Sequence, residues 1–351
     1  MAYTTIKKPS DYFNTVLYTG NGSYGNSITG VGFQPDLVWI KKRNSTADHQ
    51  LTDAVRGTDK AIESNTTDAE RTGVNLLHSF DSDGFTVDDD ASFNGNNDTF
   101  ASWNWLGANG TASNTDGSIT STVSANTTSG FSIISYTGNG TAGATVGHGL
   151  GVAPKMIIFK SRSNGTKNWI TYHESIGNTK ALFLNLTNAE ATGSDYWNNT
   201  SPTSSVFTLG DNTNHNESSG NMIAYCFAEV KGFSKFGSYV GNGTSGVDGA
   251  GDGTFVYTGF KPGMIIIKPS SAVENWQILD NKRPGFNESD NLAPNNNAAE
   301  NTSNDFVDLV SNGFKIRATS GFMNRSGEKI IYMAFAEAPL VGSNNVPCTA
   351  R

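Results

Sequence analysis

The sequence predicts an all-β fold made of three tandem β-sandwich or jelly-roll-like modules. Asn, Ser and Thr are abundant and Gly occurs 39 times, a composition that favours strands and turns over long helices. The apolar fraction of 36% includes 20 Phe, 11 Tyr and 6 Trp, which is enough to fill several small cores. One ordered set of short motifs occurs three times along the chain. Each copy predicts at least five strands, so each predicts a small domain with its own core.

The first motif is a tight turn that follows a short apolar run. Residues 18–22 and 136–140 both read Y-T-G-N-G, and residues 239–243 read Y-V-G-N-G. We expect Tyr18, Tyr136 and Tyr239 to be substantially buried above these turns. A β-branched residue tolerates a positive φ poorly, so Gly138→Val is expected to be costly.

The second motif is a strand introduced by proline. Pro35, Pro154 and Pro262 each precede a near-continuous apolar run, and a lysine stands six residues after each proline. Such a run is typical of a strand buried on both faces. A proline at its start removes no backbone hydrogen bond between strands. We expect the three prolines to begin equivalent strands.

Four further landmarks complete the repeat. A second strand begins 14 or 15 residues after the proline, and an Asn and a Glu five residues apart follow it. The dipeptides at residues 83–84 and 312–313, Asp-Gly and Asn-Gly, then predict a type I′ hairpin in the first and third copies only. Each copy ends on an aromatic strand.

These landmarks divide the chain into six segments. Between the first two modules lies a Gly/Ser/Thr/Asn-rich stretch that predicts a flexible or surface-laid linker. Almost nothing separates the second and third modules, so we expect them to pack as a rigid pair. The segments are an N-terminal docking segment 1–14, module 1 at 15–106, the linker 107–130, module 2 at 131–230, module 3 at 231–337 and a C-terminal tail 338–351.

Charge and hydropathy exclude some classes of partner. The chain carries 24 Lys and Arg against 32 Asp and Glu, a formal net charge of −8, so we expect neither nucleic acid nor an anionic bilayer as partner. No segment has the apolar length of a membrane span or a signal peptide, which predicts synthesis in the cytoplasm without membrane insertion. Two cysteines provide no disulfide framework.

The chain lacks the usual catalytic and metal-binding motifs. No His-x-x-x-His, Cys-x-x-Cys or G-x-S-x-G sequence occurs. The acidic residues 81–90 resemble a calcium loop, but the third copy is uncharged there, so a solvated hairpin is favoured. We expect no enzymatic activity, no cofactor and no metal. Paired carboxylates from distant strands leave a glycosidase as an alternative.

Three residues at one repeat position are candidates for glycan stacking. Trp169 and Trp276 each follow an Asn, and an exposed Trp beside amides can stack on a sugar ring. His49 is the diverged counterpart in module 1. The alternative is that these side chains belong to the core, as most tryptophans at such positions do.

The N-terminal segment is a candidate attachment element. It contains Tyr3, Ile6, Tyr12 and Phe13, which have no counterpart in the other copies. We expect these apolar side chains to dock onto another protein.

The repeats also resemble proteins of marine tailed bacteriophages. The resemblance rests on Y-T-G-N-G followed by G-F-x-P-D-x-V-W-I-K, on the junction F-A-E-V-K-G-F-S-K-F-G-S-Y-V-G-N-G and on the ending A-P-L-V-G-S-N-N-V-P-C-T-A-R. It covers nearly the whole chain. Proteins of this kind are commonly labelled tail-fibre-like or uncharacterised virion proteins, and no catalytic residues can be carried over from them.

This resemblance implies a non-enzymatic structural protein of the virion. We expect a tail-fibre or appendage component that contacts the host surface, with other virion proteins and a host surface glycan as partners. The alternatives are a capsid decoration or head-fibre protein and, less favoured, a carbohydrate-active tail-spike enzyme. A homo-oligomer is expected, with a trimer favoured. In the competing arrangement, the three modules of one chain already imitate a three-fold unit.

Overall fold

Each module consists of a main antiparallel sheet and a smaller outer sheet, which confirms the predicted all-β class. The computed structural model describes residues 4–244, 250–283, 290–303, 305–318 and 321–341. A short 3-10 helix, Pro9–Asp11, precedes the first strand. None of the helices in the described part of the chain has the length and hydropathy needed to cross a membrane.

Module 1 has a six-stranded main sheet in the order β1-β9-β3-β4-β5-β6 and an outer sheet β2-β8-β7. Its elements are β1 (Phe13–Thr19), β2 (Asn26–Thr29), β3 (Leu37–Lys42), β4 (Gln50–Asp53), β5 (Lys60–Glu63), β6 (Arg71–Thr72), β7 (Leu77–Asp81), β8 (Gly84–Val87), α1 (Ala91–Asn94) and β9 (Thr99–Trp105).

Module 2 has an eight-stranded main sheet in the order β10-β11-β12-β19-β14-β15-β16-β17 and an outer pair β13-β18. Its elements are β10 (Ala112–Asn114), β11 (Ser121–Asn126), β12 (Phe131–Thr137), β13 (Thr145–Gly147), β14 (Met156–Ser161), β15 (Ile170–His173), β16 (Lys180–Phe183), β17 (Ala191–Thr192), α2 (Ser194–Trp197), β18 (Val206–Thr208), α3 (Thr213–Asn216) and β19 (Asn221–Phe227).

Module 3 has a main sheet β20-β26-β22-β23 and an outer sheet β21-β25-β24. Its elements are β20 (Ser234–Val240), β21 (Phe255–Tyr257), β22 (Phe260–Pro269), β23 (Gln277–Asp280), β24 (Val307–Val310), β25 (Gly313–Ile316), α4 (Gly321–Asn324) and β26 (Lys329–Pro339).

The strands that contain or follow the three prolines are equivalent, but the expectation that each proline begins its strand fails in module 3, where β22 starts two residues before Pro262. Leu37 of β3, Met156 of β14 and Met264 of β22 each stand two residues after the proline. Each pairs with the same position of the closing strand, in the pairs Leu37↔Trp105, Met156↔Phe227 and Met264↔Phe335. Every residue of β3 and β14 is buried, as their apolar runs predicted.

The main sheets are covered on both faces. Their outer faces pack under the outer sheets and form one separate apolar cluster per module. Their inner faces meet in a single cluster, which we call the central core. Its members include Trp39, Trp103, Ile133, Ile158, Met264 and Met333.

Three equivalent aromatic residues mark a pseudo-threefold axis in the central core. The ring centroids of Trp105 and Phe227 are 6.2 Å apart, those of Trp105 and Phe335 5.7 Å, and those of Phe227 and Phe335 6.0 Å. The interplanar angles are 61°, 74° and 66°, so each pair packs edge to face. The three modules therefore form a closed ring around this triangle.

The expectation of a flexible linker at 107–130 is wrong, whereas the alternative of a segment laid on the surface fits residues 108–118, none of which is buried. The 107–130 segment forms β10 and β11, which extend the main sheet of module 2 beyond β12. Ile119 and Val123 are buried in that module's outer cluster, and Ile119 forms a parallel bridge with Val146. Two apolar anchors are enough to hold the polar segment against module 2 because its backbone groups enter the sheet ladder.

The Y-T-G-N-G turn is held by a buried asparagine at the end of a short helix. Tyr136 and Tyr239 are buried as predicted, while Tyr18 is half-buried. The hydroxyl of Tyr136 donates to the backbone oxygen of His215 (2.7 Å), and Asn216 Oδ1 accepts from the Asn139 amide (3.0 Å). Module 1 repeats this pattern with Asn94 and module 3 with Asn324.

Gly138 is required at this turn for a steric reason. The positive φ belongs to the second glycine, at 70° in Gly140, and Gly138 is not among the residues of positive φ. A Cβ atom on Gly138 would lie 2.4 Å from the backbone oxygen of Glu217. The expected cost of Gly138→Val therefore stands, but its reason is close backbone approach.

The predicted hairpins join β7 to β8 and β24 to β25. The predicted type I′ geometry is wrong for both. The central residues, Ser82 and Asp83 in the first and Ser311 and Asn312 in the second, lack the positive φ that a type I′ turn needs. Gly84, at φ 152°, is instead the first residue of β8.

Candidate functional site

The proposed stacking residues lie in the interfaces between modules. Trp169 Nε1 donates to the backbone oxygen of Glu63 in module 1 (2.8 Å), and Trp276 Nε1 donates to that of Phe183 in module 2 (2.9 Å). His49 Nε2 lies 3.1 Å from the backbone oxygen of Ala293 in module 3. The exposed fractions of the three side chains are 0%, 1% and 0%. They offer no free face to a sugar, so their assignment to glycan stacking is corrected to a role in closing the ring.

The Asn-Glu motif serves the same interfaces. Asn65 Oδ1 accepts from the His49 amide (2.9 Å), and Asn185 and Asn295 hold Trp169 and Trp276 in the same way. The glutamate five residues later donates its own amide to the neighbouring module. These contacts run from Glu70 to the Arg162 oxygen (2.8 Å), from Glu190 to the Ser270 oxygen (2.7 Å) and from Glu300 to the Arg43 oxygen (2.8 Å).

A buried charge network crosses the interface between modules 1 and 2. Glu70 accepts two hydrogen bonds from Arg162, at 2.9 and 3.0 Å, and one from Arg56 at 3.2 Å. Arg56 also donates to Asp53 (2.5 Å), which accepts the hydroxyl of Tyr225 (2.7 Å). Burial raises the pKa of Glu70, but the hydrogen bonds from Arg162 and the charge of Arg56 outweigh it and leave that pKa below its ordinary value.

The interface between modules 3 and 1 repeats this network. Glu300 pairs with Arg43 (2.8 Å) and with Arg283 (2.7 Å). Arg283 also pairs with Asp280 (2.7 Å), which accepts from Trp103 Nε1 (2.9 Å). Trp103 stands at the repeat position of Tyr225, so both closing strands supply a donor to the aspartate of the preceding module.

The interface between modules 2 and 3 has lost the network. His173 stands where the other modules have the aspartate, and Ile176 stands where they have the first arginine. Ser270 replaces the second arginine, and within the described parts of the chain Glu190 forms an ion pair only with Lys180 of its own module. His173 Nε2 instead lies 3.2 Å from the backbone oxygen of Tyr332 in module 3. The interface between modules 2 and 3 therefore contains fewer charged side chains than the other two interfaces.

The lysine six residues after each proline is buried without a carboxylate partner among the described residues. Lys160 Nζ donates to the backbone oxygens of Thr67, Ser161 and Lys167, at 2.9 to 3.0 Å. Lys268 is held similarly and Lys41 by one oxygen. Burial lowers the pKa of each lysine to about 8. Lys160 and Lys268 each donate to a backbone oxygen of the preceding module, so they contribute hydrogen bonds across two interfaces of the ring.

Four of the five histidines are held neutral. Nδ1 of His49, His148 and His173 accepts a hydrogen bond, and Nε2 of each faces a backbone oxygen, as does Nε2 of His215. This arrangement fits the Nε2–H tautomer. Burial lowers the pKa of His173 and His215 to about 4 and that of His49 well below its ordinary value. They are structural donors with no free nitrogen directed at solvent.

The proposed attachment segment packs on the molecule itself. Ile6 and Phe13 are buried in the central core, and the Tyr12 ring lies 6.1 Å from that of Phe233. Tyr3 lies outside the described residues. The expectation that Ile6, Tyr12 and Phe13 dock onto another protein is therefore wrong, because module 3 already covers them.

The acidic stretch 81–90 is used for internal hydrogen bonds. Asp83 accepts from the amides of Gly30 (3.1 Å) and Gly32 (2.7 Å), and Asp90 caps α1 by accepting from the Ser92 amide. Among the described residues, no group of three or more His, Cys, Asp or Glu side chains has the geometry of a metal site.

One outer edge strand exposes aromatic side chains. On β21, Val256 faces the core while Phe255 and Tyr257 are 45% and 53% exposed. The equivalent positions on β2 are Ser27 and Thr29, which flank Ile28 as Phe255 and Tyr257 flank Val256. This aromatic pair, which we call the β21 patch, is therefore a property of module 3 and was missed in the sequence because two aromatics around a buried Val fit a core strand equally well.

Other residues of the site were also missed. Arg56 and Arg283, with Arg162 and Arg43, form the charge networks, and the spacing of three from Asp53 to Arg56 and from Asp280 to Arg283 could have indicated them. The asparagines at the ends of α1, α3 and α4 carry a detectable signal as well. Each stands five residues before the closing strand begins, but the surrounding residues differ.

A family model described as a domain of unknown function (DUF7483) matches residues 8–339. This match spans nearly the whole chain, so the chain belongs to this family. No match was found among the curated proteins or among the solved structures.

Proposed function

We propose that this member of the DUF7483 family is a non-enzymatic structural protein of a phage virion, exposed on the particle as a tail-fibre or appendage component that contacts the host. The observation that carries the proposal is the closed ring of three modules around Trp105, Phe227 and Phe335. A rigid three-fold body is suited to a three-fold fibre or vertex. The virion assignment itself comes from the sequence resemblance.

The use of polar groups supports a structural role. The buried carboxylates of the ring are paired with arginines, and the four buried histidines are neutral. Catalysis requires ionisable groups directed at a shared cleft. In the described part of the chain, the paired carboxylates and two of these histidines, His49 and His173, instead join one module to the next.

The ring also supports the view that one chain is the three-fold unit. The inner faces of the three main sheets are buried against one another in the central core. Separate subunits would use such faces to form a trimer. Light scattering on the purified protein is expected to give a mass near 37.3 kDa. A mass about three times larger would favour the homotrimer instead.

The β21 patch is the surface that we assign to host contact. In module 2 the equivalent edge strand, β13, is paired with an extended segment of the chain. Residues 118–119 lie along β13, and the Ile119 amide donates to the backbone oxygen of Thr145 (2.9 Å). The partner proposed for β21 is an extended or glycan-bearing segment of the host surface, which the exposed rings would contact.

Binding to host cells tests this function. Purified protein is expected to bind host cells, and the double variant Phe255→Ser with Tyr257→Ser is expected to bind them less. The matched control is Val74→Ser with Val152→Ser, which changes two exposed apolar residues of the other modules. Binding to emptied capsids with no binding to cells would replace host contact by capsid decoration, and release of oligosaccharide from host polysaccharide would show an enzyme.

A further inference from the structure

We propose that the cleft between modules 1 and 3 binds one sugar ring, and that an acidic sugar binds it best. The cleft has a volume of about 170 Å³. One wall is formed by Ser10, Phe13 and Asn14 of the N-terminal segment with Thr15 of module 1, and the other by Gly263, Asn281, Lys282 and Glu337 of module 3. This space holds several water molecules, which suits a single ring and not an extended chain.

The cleft exists because two small residues face each other at one of three equivalent interfaces. Thr15, opposite Trp103, holds the position that Ile133 and Phe236 hold opposite Tyr225 and Met333. The larger side chains fill this space in modules 2 and 3, where both lie in the central core.

The second small residue is on the facing wall. Gly263 occupies the position of Asp36 in module 1 and Lys155 in module 2. Asp36 fills its interface, because its carboxylate accepts from the Gly107 amide (2.7 Å) and the Ser124 hydroxyl (3.2 Å). Gly263 has no side chain, so module 3 leaves the equivalent space open.

The lining presents hydroxyl, amide and charged groups to this space. Thr15 is 5% exposed, and its hydroxyl has no hydrogen-bond partner within the described chain. A buried hydroxyl is normally paired, so this one is an unsatisfied donor and acceptor beside the cleft. Asn14 commits its Nδ2 to the Gly30 and Val31 oxygens (3.3 and 3.0 Å), which leaves its amide oxygen as an acceptor.

The charges of the cleft favour an anionic ring. Glu337 is paired with Lys261 (2.8 Å), so this pair is neutral. Lys282 has no carboxylate within salt-bridge distance among the described residues, which leaves one uncompensated ammonium at the cleft. Hydroxyls of a sugar can both donate and accept here, and a ring carboxylate would pair with Lys282.

Ligand-observed NMR on the full chain with methyl β-glucuronide and methyl β-glucoside tests the proposal. We expect both to show saturation transfer, with the glucuronide bound more tightly. Thr15→Ile, which installs the residue of module 2, is expected to weaken binding by about tenfold or more because the side chain fills the space. The matched control Thr19→Ile lies on the exposed part of the same strand and is expected to bind as wild type.

A second variant separates charge from shape. Lys282→Ala leaves the cleft open and is expected to remove the preference for the glucuronide, even if Thr15→Ile fails to fold. The proposal is overturned if neither sugar binds the wild-type chain, or if a folded Thr15→Ile binds as tightly as wild type. The inference rests on the proposed function for its biological meaning, yet the two fail separately: cell binding without sugar binding would overturn only the cleft.

Discussion

The hydroxyl of Tyr225 in module 2 donates a 2.7 Å hydrogen bond to the carboxylate of Asp53 in module 1, with both side chains buried. Asp53 also pairs with Arg56, so the tyrosine completes an ion pair that has no access to water. The buried ion pair of module 1 is therefore fully hydrogen-bonded only when module 2 is packed against it.

We expect Tyr225→Phe to lower the free energy of unfolding by about 2 kcal/mol, since a hydrogen bond to a charged group is lost while the ring remains. Urea unfolding measures this change. The control is Tyr332→Phe, a buried tyrosine whose hydroxyl has no hydrogen bond to another described residue. Equal losses in the two variants would show that the contact with Asp53 contributes nothing specific.

The glutamates of the Asn-Glu motif are expected to differ in importance. Glu70→Gln removes the charge between Arg56 and Arg162 and is expected to cost about 3 kcal/mol, because Arg162 loses its carboxylate partner and Arg56 keeps only Asp53. Glu190→Gln changes the same repeat position, where the partner is the half-exposed Lys180, and is expected to cost about 1 kcal/mol or less. Chemical denaturation of both variants provides the comparison, and a larger loss for Glu190→Gln would contradict it.

Stability is expected to fall as the pH is lowered through the range from 6.5 to 4. Burial lowers the pKa of His173 and His215 from 6.5 to about 4, so the unfolded state binds protons in this range before the folded state does. Each histidine therefore contributes up to about 3 kcal/mol at neutral pH that is lost at pH 4 and below.

Thermal melting at a series of pH values measures this loss. His173→Gln keeps a donor for the Tyr332 oxygen but does not titrate, so its pH dependence is expected to be flatter than that of the wild type. A wild-type melting temperature that stays constant from pH 7 to pH 4 would refute the role of the buried histidines.

The turn glycines provide the last prediction. Gly138→Val places a Cβ atom 2.4 Å from the Glu217 oxygen, and we expect a loss of about 2 kcal/mol or more from the forced backbone shift. Gly110→Val is the control, because nothing lies within 4 Å of the added Cβ atom there. An unchanged melting temperature in Gly138→Val would count against the close approach of the two backbones.

Much of the fold could be predicted from local patterns. The apolar run after Pro154 and the Asp-Gly before Phe85 determine a strand and a hairpin through nearby residues alone. The partners across the ring could not be predicted in this way. Trp169 looks the same in sequence whether its indole faces solvent or the Glu63 oxygen, because the deciding contact comes from another module. Ile119 was missed because one apolar residue in a polar segment gives no periodic signal.

Closure of the ring has a consequence for translation. The hydrogen bond from Trp103 to Asp280 joins positions 177 residues apart, and the one from Arg43 to Glu300 joins positions 257 apart. When module 1 has been synthesised, the inner face of its main sheet stays exposed until β23 and β26 of module 3 have also been synthesised. During that delay the face is open to wrong partners. We therefore expect ribosome-associated chaperones to recognise the emerging first module, and expression of a chain that ends after β19 to yield aggregates.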